Sequence, residues 1–411
     1  MLLVYESDHF DKAHLWNKDV RKITARQVHE LSDKNLVKAE KFFSLNKKTL
    51  LFDAKIDLDA YLQYVEFNRD PEKRFYLPRR KIIRPIVQSL QDLEDDNLDL
   101  LSISCPPGVG KSTIGIFFLS WVMGKYPDQP NLVSAHADKL TKSFHTGILN
   151  IITDPEYLWA DVFPGINVAE TSAKDETIDL HKKKRFATLT CRSIDGSLTG
   201  ATRCERYLYA DDLVSGIEEA LSKERLDNLW SKYTSDLKSR KKQGCKEIHI
   251  ATRWSVHDVI GRLERQYEGD PRARFLALPA LNEDDESNFD YKYGVGFSTK
   301  YFLDMRDVLD DVSWKCLFQN EPIEREGQLY NEDDLRRYYE LPVEEQDAII
   351  GVCDTAEGGG DDTFLPVAYQ YGQDFYIEDC VCDNSLPEVT DTLRAEILLK
   401  HRVKQCQFES N

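Results

Sequence analysis

LDLLSISCPPGVGKST, Leu98 to Thr113, is the stretch on which the reading of this chain turns. An apolar, β-rich run enters a Pro/Gly loop. Gly110, Lys111, Ser112 and Thr113 then open an amphipathic helix carrying Ile114, Phe117, Phe118, Trp121 and Val122. Strand, loop and helix in that order are the context a phosphate-binding loop requires. Backbone N–H groups along Gly108, Val109, Gly110 and the first helical turn would wrap an oligophosphate. Lys111 would reach the β and γ phosphates, and the Ser112 hydroxyl would ligate Mg²⁺. The usual pattern carries a glycine five residues before Gly110, where this chain has Cys105. The loop is therefore expected to bend at Pro106, Pro107 and Gly108. Taken alone, the motif identifies a binder of ATP or a similar nucleotide without naming its work.

Outward from the loop, apolar strands alternate with helical patterns: LDLLSIS, NLVSAH, RFATLTCRSI, RYLYADD, KEIHIAT and RFLALPAL. Such alternation argues for an α/β fold with a mainly parallel, doubly wound sheet. Four segments follow from composition and pattern: a helical N-terminal lead-in (1–75), the phosphate-loop domain (76–281), an acidic, turn-rich linker and helical connector (282–346), and a second strand-rich unit (347–411). Just upstream of the loop, Arg79, Arg80 and Arg84 are candidates for contacting a nucleotide base, with exposed surface arginines as the competing reading.

With 411 residues, 41% hydrophobic, the chain is long enough for two or three domains with their own cores. No apolar run approaches the roughly 18 residues of a membrane helix, so no membrane partner is expected. Nine cysteines are scattered without a CxxC pair, which argues against a zinc ribbon and fits a reducing compartment. The net charge of −18 excludes a surface that is basic throughout. Nucleic acid would have to be held by local runs: His181 to Arg185 (HKKKR), Lys238 to Lys242 (KSRKK), and Arg262 with Arg265. Each run reads equally well as a solvated face.

RYLYADD is an apolar strand ending in two acids about a hundred residues after the loop. In a phosphate-loop ATPase the first acid, here Asp211, helps hold Mg²⁺, and the second, Asp212, polarises the attacking water as general base. The next strand, KEIHIAT, ends in Thr252, placed to sense the γ-phosphate, and runs on into Arg253, Trp254 and a segment closing with Gly261, Arg262 and Leu263.

CPPGVGKST, YLYADD and ATRWSVHDVIGRL, in this order, resemble the large terminase subunit of tailed bacteriophages or prophages. That resemblance implies a phosphate-loop (ASCE-type) ATPase domain followed by an RNase H-like α/β nuclease domain. It also implies a trans-acting arginine near the TG pair upstream of the acidic strand. Arg203 is the nearest candidate, with Arg192 and Arg206 competing. Further on, GVCDTAEGGGDDT sets Asp354 at a strand end ahead of Asp361 and Asp362, and Glu409 follows a later strand. Carboxylates at neighbouring strand tips are how such nucleases hold two divalent ions about 4 Å apart. By resemblance Asp354 and Glu409 would be ligands to Mg²⁺ or Mn²⁺, with Asp362 auxiliary; the competing reading is an acidic hairpin turn. A third family acid is not found before Asn411, and neither Asp379 nor Asp383 sits where it would lie, so the nuclease domain is read as truncated and weakly active or inactive.

The resemblance implies ATP-driven translocation of viral double-stranded DNA into a procapsid, and metal-dependent cutting by the complete C-terminal domain. Implied partners are the portal protein, a small terminase subunit and further copies of the chain in a ring. The implied place of action is the host cytoplasm, transiently at the procapsid portal and not in the mature virion. Two alternatives stay open at this stage: a phosphate-loop DNA helicase or remodeller, and a catalytically silent nucleotide-binding assembly protein.

Overall fold

The structure, a computed structural model, describes residues 36–196, 203–322, 336–355 and 362–408. It divides into two units, Met1–Glu326 and Gly327–Asn411. In the first unit an eight-stranded sheet runs in the order β3-β4-β5-β2-β6-β7-β1-β8. Its strands are β1 (Leu100–Ser104), β2 (Asn131–Ala135), β3 (Val168–Ser172), β4 (Thr177–Leu180), β5 (Leu189–Ser193), β6 (Tyr207–Asp211), β7 (Lys246–Ala251) and β8 (Ala273–Ala277). The six strands from β5 to β8 in that order pair in parallel, while β3 and β4 extend the sheet antiparallel. The sequences of β1, β2 and β6 are buried at every position, as strands covered on both faces must be.

The helices of this unit include α1 (Leu36–Asp53), α2 (Leu58–Val65), α3 (Tyr76–Glu94), α4 (Lys111–Lys125), α5 (Asp138–Thr153), α6 (Lys223–Lys232), α7 (Val259–Gln266) and α8 (Thr299–Val308). The second helical element, α2, starts where the Asp57 side chain accepts from Ala60 N at 2.8 Å, an N-cap that satisfies an otherwise orphaned donor. The loop helix α4 is apolar nearly all round because it lies between the sheet and the N-terminal helices. Trp121 Nε1 donates to Ala54 O at 2.8 Å and Tyr61 bonds Ser120 Oγ at 2.6 Å, tying the α1–α2 region to α4.

All six strands anticipated in the first domain are present, whereas β3 and β4 were not anticipated. VAETS faces solvent along much of its length, so it lacks the apolar run that marks the other strands. Residues 282–322, expected as linker and connector, supply Phe289, Tyr291, Phe302, Trp314 and Phe318 to the main core of this unit. Likewise, residues 44–75 of the expected lead-in bury Leu58, Tyr61, Leu62 and Val65 in that core; residues 1–35 lie outside the described ones.

At the N-terminal ends of the central strands, the buried Glu94 carboxylate accepts from Lys125 at 2.7 Å, Tyr207 at 2.7 Å and Arg206 at 2.8 Å. Burial opposes its ionisation, yet these donors hold it below the usual carboxylate range. Arg206 is thereby occupied in a structural ion pair.

The second unit is a four-stranded sheet, β11-β10-β9-β12, with β9 (Ala348–Cys353), β10 (Thr363–Tyr371), β11 (Asp374–Asp383) and β12 (Gln405–Phe408). Its first three strands form an antiparallel meander, and β12 joins β9 in parallel. Helix α9 (Pro387–Lys400) covers the core of Cys353, Leu365, Val367 and Ile397.

One close approach sets the seat of α4. A Cβ on Gly115 would fall 1.8 Å from Tyr209 Oη on β6. Alanine normally favours a helix by roughly 1 kcal/mol over glycine, but this overlap is worth more in the opposite direction. Gly115→Ala is expected to lower the unfolding free energy by about 1–3 kcal/mol in urea denaturation.

Candidate nucleotide site

The C-terminal ends of β1, β6 and β7 meet at one edge of the parallel sheet, where open α/β folds bind their ligands. After β1 the chain turns through Pro107 and Gly108 and enters α4. Gly108 (φ 76°) and Gly110 (φ 103°) take left-handed backbone, and each has a ring where a side chain would be. A Cβ on Gly110 would lie 2.8 Å from Phe75 Cε2, and one on Gly108 would lie 3.0 Å from Phe297 Cζ. Cys105 needs no such freedom: it continues the strand, donates its N–H to Ala251 O at 3.3 Å, and is buried. Burial pushes its thiol up to about 12. The bend therefore falls where the replaced glycine is not missed.

Lys111 Nζ lies 3.0 and 2.9 Å from the two Asp212 carboxylate oxygens and also donates to Thr252 Oγ1. The same carboxylate accepts from Thr252 N at 2.8 Å. Next to it, Ser112 Oγ donates to Asp211 Oδ2 at 2.8 Å, while Asp211 Oδ1 is buried with no hydrogen-bond partner. Burial first, and then the adjacent Asp212 charge, raise the Asp211 carboxyl to about 7. Lys111, Ser112, Asp212 and Thr252 border a cleft of about 420 Å³ whose walls include Pro107, Thr113, His136 and Trp254, with Asp211 buried behind Ser112. Val109 turns into the core instead, its carbonyl accepting from Tyr291 Oη at 3.1 Å.

Behind Thr252 the chain is tightly fastened. Arg253, buried, pairs with Asp258 at 3.1 Å and Glu264 at 3.0 Å. Asp258 caps α7 by accepting from Gly261 N at 2.7 Å. A Cβ on Gly261 would strike Val256 O at 2.1 Å, which explains the glycine of the GRL segment. Arg253, next to Thr252 in the chain, is thus tied to α7 by two ion pairs.

Sequence reasoning named Arg79 and Arg80 upstream of the loop but not the partners that hold them. Arg79 sits between the rings of Phe75 (4.9 Å) and Tyr291 (5.1 Å) and donates to Val295 O at 3.3 Å, and Arg80 is buried on Asp59 at 2.8 Å. Neither is a free surface arginine. His136 was missed as well; a lone histidine after an apolar strand gives no signal in sequence. Arg203, by contrast, is not brought to this cleft. It is half exposed beside Glu205, ahead of β6. The five residues of β6, about 16 Å at strand rise, separate it from the acidic end. Arg192 lies 3.7 Å from Asp175.

The basic runs are largely consumed internally. Lys183 pairs with Glu170 at 2.8 Å, Lys184 is held by Thr188 at 2.6 Å, and Lys238 is 3.7 Å from Glu247, which also takes Lys241. Arg262 pairs with Asp227, and Arg265 donates to Val256 O at 3.0 Å. In the second unit Asp354 directly follows β9, its backbone paired with Phe364, and Asp362 precedes β10. Both are exposed. Asp361 and Glu409 lie outside the described residues. Asp379 is engaged by Lys400 at 2.6 Å and His401 at 2.9 Å, which hold it down to about 2. Among the described residues no cluster of three or more His, Cys, Asp or Glu side chains could hold a metal ion. Among them, too, no helix is long and apolar enough to cross a membrane.

No family model and no curated protein sequence matches the chain. Its structure is similar to that of the HK97 bacteriophage large terminase, at 11% identity and a TM-score of 0.42, covering 85% of this chain and 73% of that one. It is also similar to the large terminase of the thermophilic bacteriophage D6E in complex with ATP-γ-S, at 12% identity and a TM-score of 0.38, covering 82% and 77%. A third similarity is to the Phi-28 gp11 DNA packaging motor, at 11% identity and a TM-score of 0.28, covering 78% and 93%.

The raised Asp211 carboxyl has a consequence for stability. Its folded value lies above the unfolded value near 3.9, so the folded state binds more protons between about pH 4 and 7 and loses stability as pH rises through that window. Above about 7 the penalty is complete. Asp211→Asn, which keeps an acceptor for Ser112 but no charge, is expected to raise the melting temperature at pH 7.5 without divalent metal. The gain should vanish near pH 4, as read by calorimetry at several pH values.

Proposed function

We propose that the first unit is the ATPase of a DNA-packaging motor of the large-terminase type. The observation that carries this reading is the meeting of Lys111, Asp212 and Thr252 at one edge of the sheet, each from a different strand end. ATP would lie along Gly108 to Thr113, its phosphates on the loop N–H groups and the N-terminus of α4. Lys111 would then exchange the Asp212 carboxylate for β- and γ-phosphate oxygens. That exchange frees Asp212 to accept a proton from the attacking water, so the base is latched until substrate arrives. Loss of the γ-phosphate returns Lys111 to Asp212 and Thr252, and the Arg253–Asp258–Glu264 links carry the change to α7.

The donor set also fits Mg²⁺: a hydroxyl on Ser112, and beside it a buried carboxylate oxygen of Asp211 lacking any other partner. Those two residues would hold the ion, which supplies charge neutralisation of the β and γ phosphates. Arg203, outside its own cleft, would serve a neighbouring subunit in a ring. The motor reading brings double-stranded DNA, a portal and a small terminase subunit as partners, and the host cell and procapsid as its place of action.

For the second unit we propose an RNase H-like nuclease fold with Asp354, Asp362 and Glu409 as its metal-binding acids. Supporting it are the β11-β10-β9-β12 order and the parallel register that sets Phe408 opposite Cys353, the last residues before two of those acids.

Phosphate release with DNA present tests the motor reading. Lys111→Ala and Asp212→Asn should each lower kcat by about a hundredfold or more. A wild-type chain no faster than either variant would instead favour a silent nucleotide-binding protein. Plasmid nicking with Mn²⁺ tests the second unit: cleavage should fall to background in Asp354→Asn, and cleavage unchanged in that variant would remove the nuclease assignment.

A further inference from the structure

Asp212 is a non-glycine residue in left-handed backbone, with φ 42°. Such a conformation persists only where surrounding contacts impose it. Its N–H donates to Ile250 O of β7 at 2.8 Å. Its carbonyl oxygen is gripped from the opposite side by one residue, His136, which directly follows β2. The His136 backbone N–H reaches that oxygen at 3.4 Å, and the ring Nδ1 lies 2.6 Å from it. A carbonyl oxygen only accepts, so Nδ1 must carry the proton in this contact. The ring is half-buried and forms part of the cleft wall.

We propose that His136 is a positioning residue for Asp212, the acid assigned above as general base; the proposal rests on that ATPase reading. Lys111 and Thr252 N hold the carboxylate in the arrangement described, but Lys111 leaves it when phosphate arrives. From then on the aim of the carboxylate depends on the backbone that carries it. Aspartate has a shorter arm than glutamate, so a rotation of the Asp212–Leu213 peptide displaces the carboxylate with little side-chain reach to compensate. The Nδ1–H bond blocks that rotation, and β2 thereby becomes part of the hydrolytic machinery without touching the nucleotide's reacting atoms. A misplacement of 1 Å can cost about a hundredfold in rate.

Two near-isosteric variants separate this role from packing. Asparagine places an N–H donor where Nδ1 stands; leucine has the same branching and no donor. His136→Asn is expected to keep kcat within about threefold of wild type, and His136→Leu to lose about tenfold or more. Both should bind a fluorescent ADP analogue within about twofold of wild type. Equal rates for the two variants, whether both high or both low, would overturn the proposal. Lys111→Ala runs beside them: if wild type is no faster than that variant, the ATPase reading has failed. The clamp is then decided by ¹⁵N NMR of the full chain, where an Nδ1–H tautomer at His136 supports it and an Nε2–H tautomer overturns it.

Discussion

The ammonium of Lys111 sits where three strand ends converge, and the rest of the first unit can be understood as holding it there. Its two partners, Asp212 and Thr252, come from β6 and β7, while Lys111 itself opens the helix that follows β1. A buried cation is tolerable only with paired anions and hydrogen bonds. Strand order, the bend at Gly108 and Gly110, and the packing of α4 on Tyr209 all bear on whether those partners coincide. Asp212 and Thr252 compensate the cation here, and under the ATPase reading proposed above a polyphosphate would compensate it equally well. On that proposed reading the site has two electrostatically acceptable arrangements.

The opposite edge of the sheet has its own fixed charge. Glu94 gathers Lys125, Arg206 and Tyr207 below the strands, and Tyr126 lies 4.2 Å from the Arg206 guanidinium. Removing one partner would leave a buried charge uncompensated, so this edge resists rearrangement.

Much of this was legible in the sequence. The six parallel strands announced themselves as apolar runs between helical patterns, and the loop, the Asp211–Asp212 pair and Thr252 were each recognisable from neighbours within a few residues. What sequence could not supply was long-range. Strand β3 is polar and largely exposed, and β4 has only four residues, of which Ile178 and Leu180 are the apolar ones, so the hairpin carries no long periodic apolar signal. Residues 282–299 look like an acidic linker because Glu283, Asp284, Asp285 and Glu286 stand out in their composition, yet Phe289 and Tyr291 bury themselves in the core. His136 and the Phe75–Arg79–Tyr291 stack meet the site only through folding. For the basic runs, which the sequence left open, folding supplies partners: in KSRKK, Glu247 takes Lys238 and Lys241, and Glu205 takes Lys242.

The placement of sulfur has a practical consequence. Cys105, in the phosphate loop itself, is sealed in the core with its thiol far from ionisation at neutral pH, whereas Cys380 and Cys382 are exposed on β11. Thiolate is the reactive form, and it must also be reachable. Maleimide dyes or spin labels should therefore modify the second unit while sparing the loop. The native chain thus offers a way to label one unit while leaving the thiol of the other unit's loop unmodified.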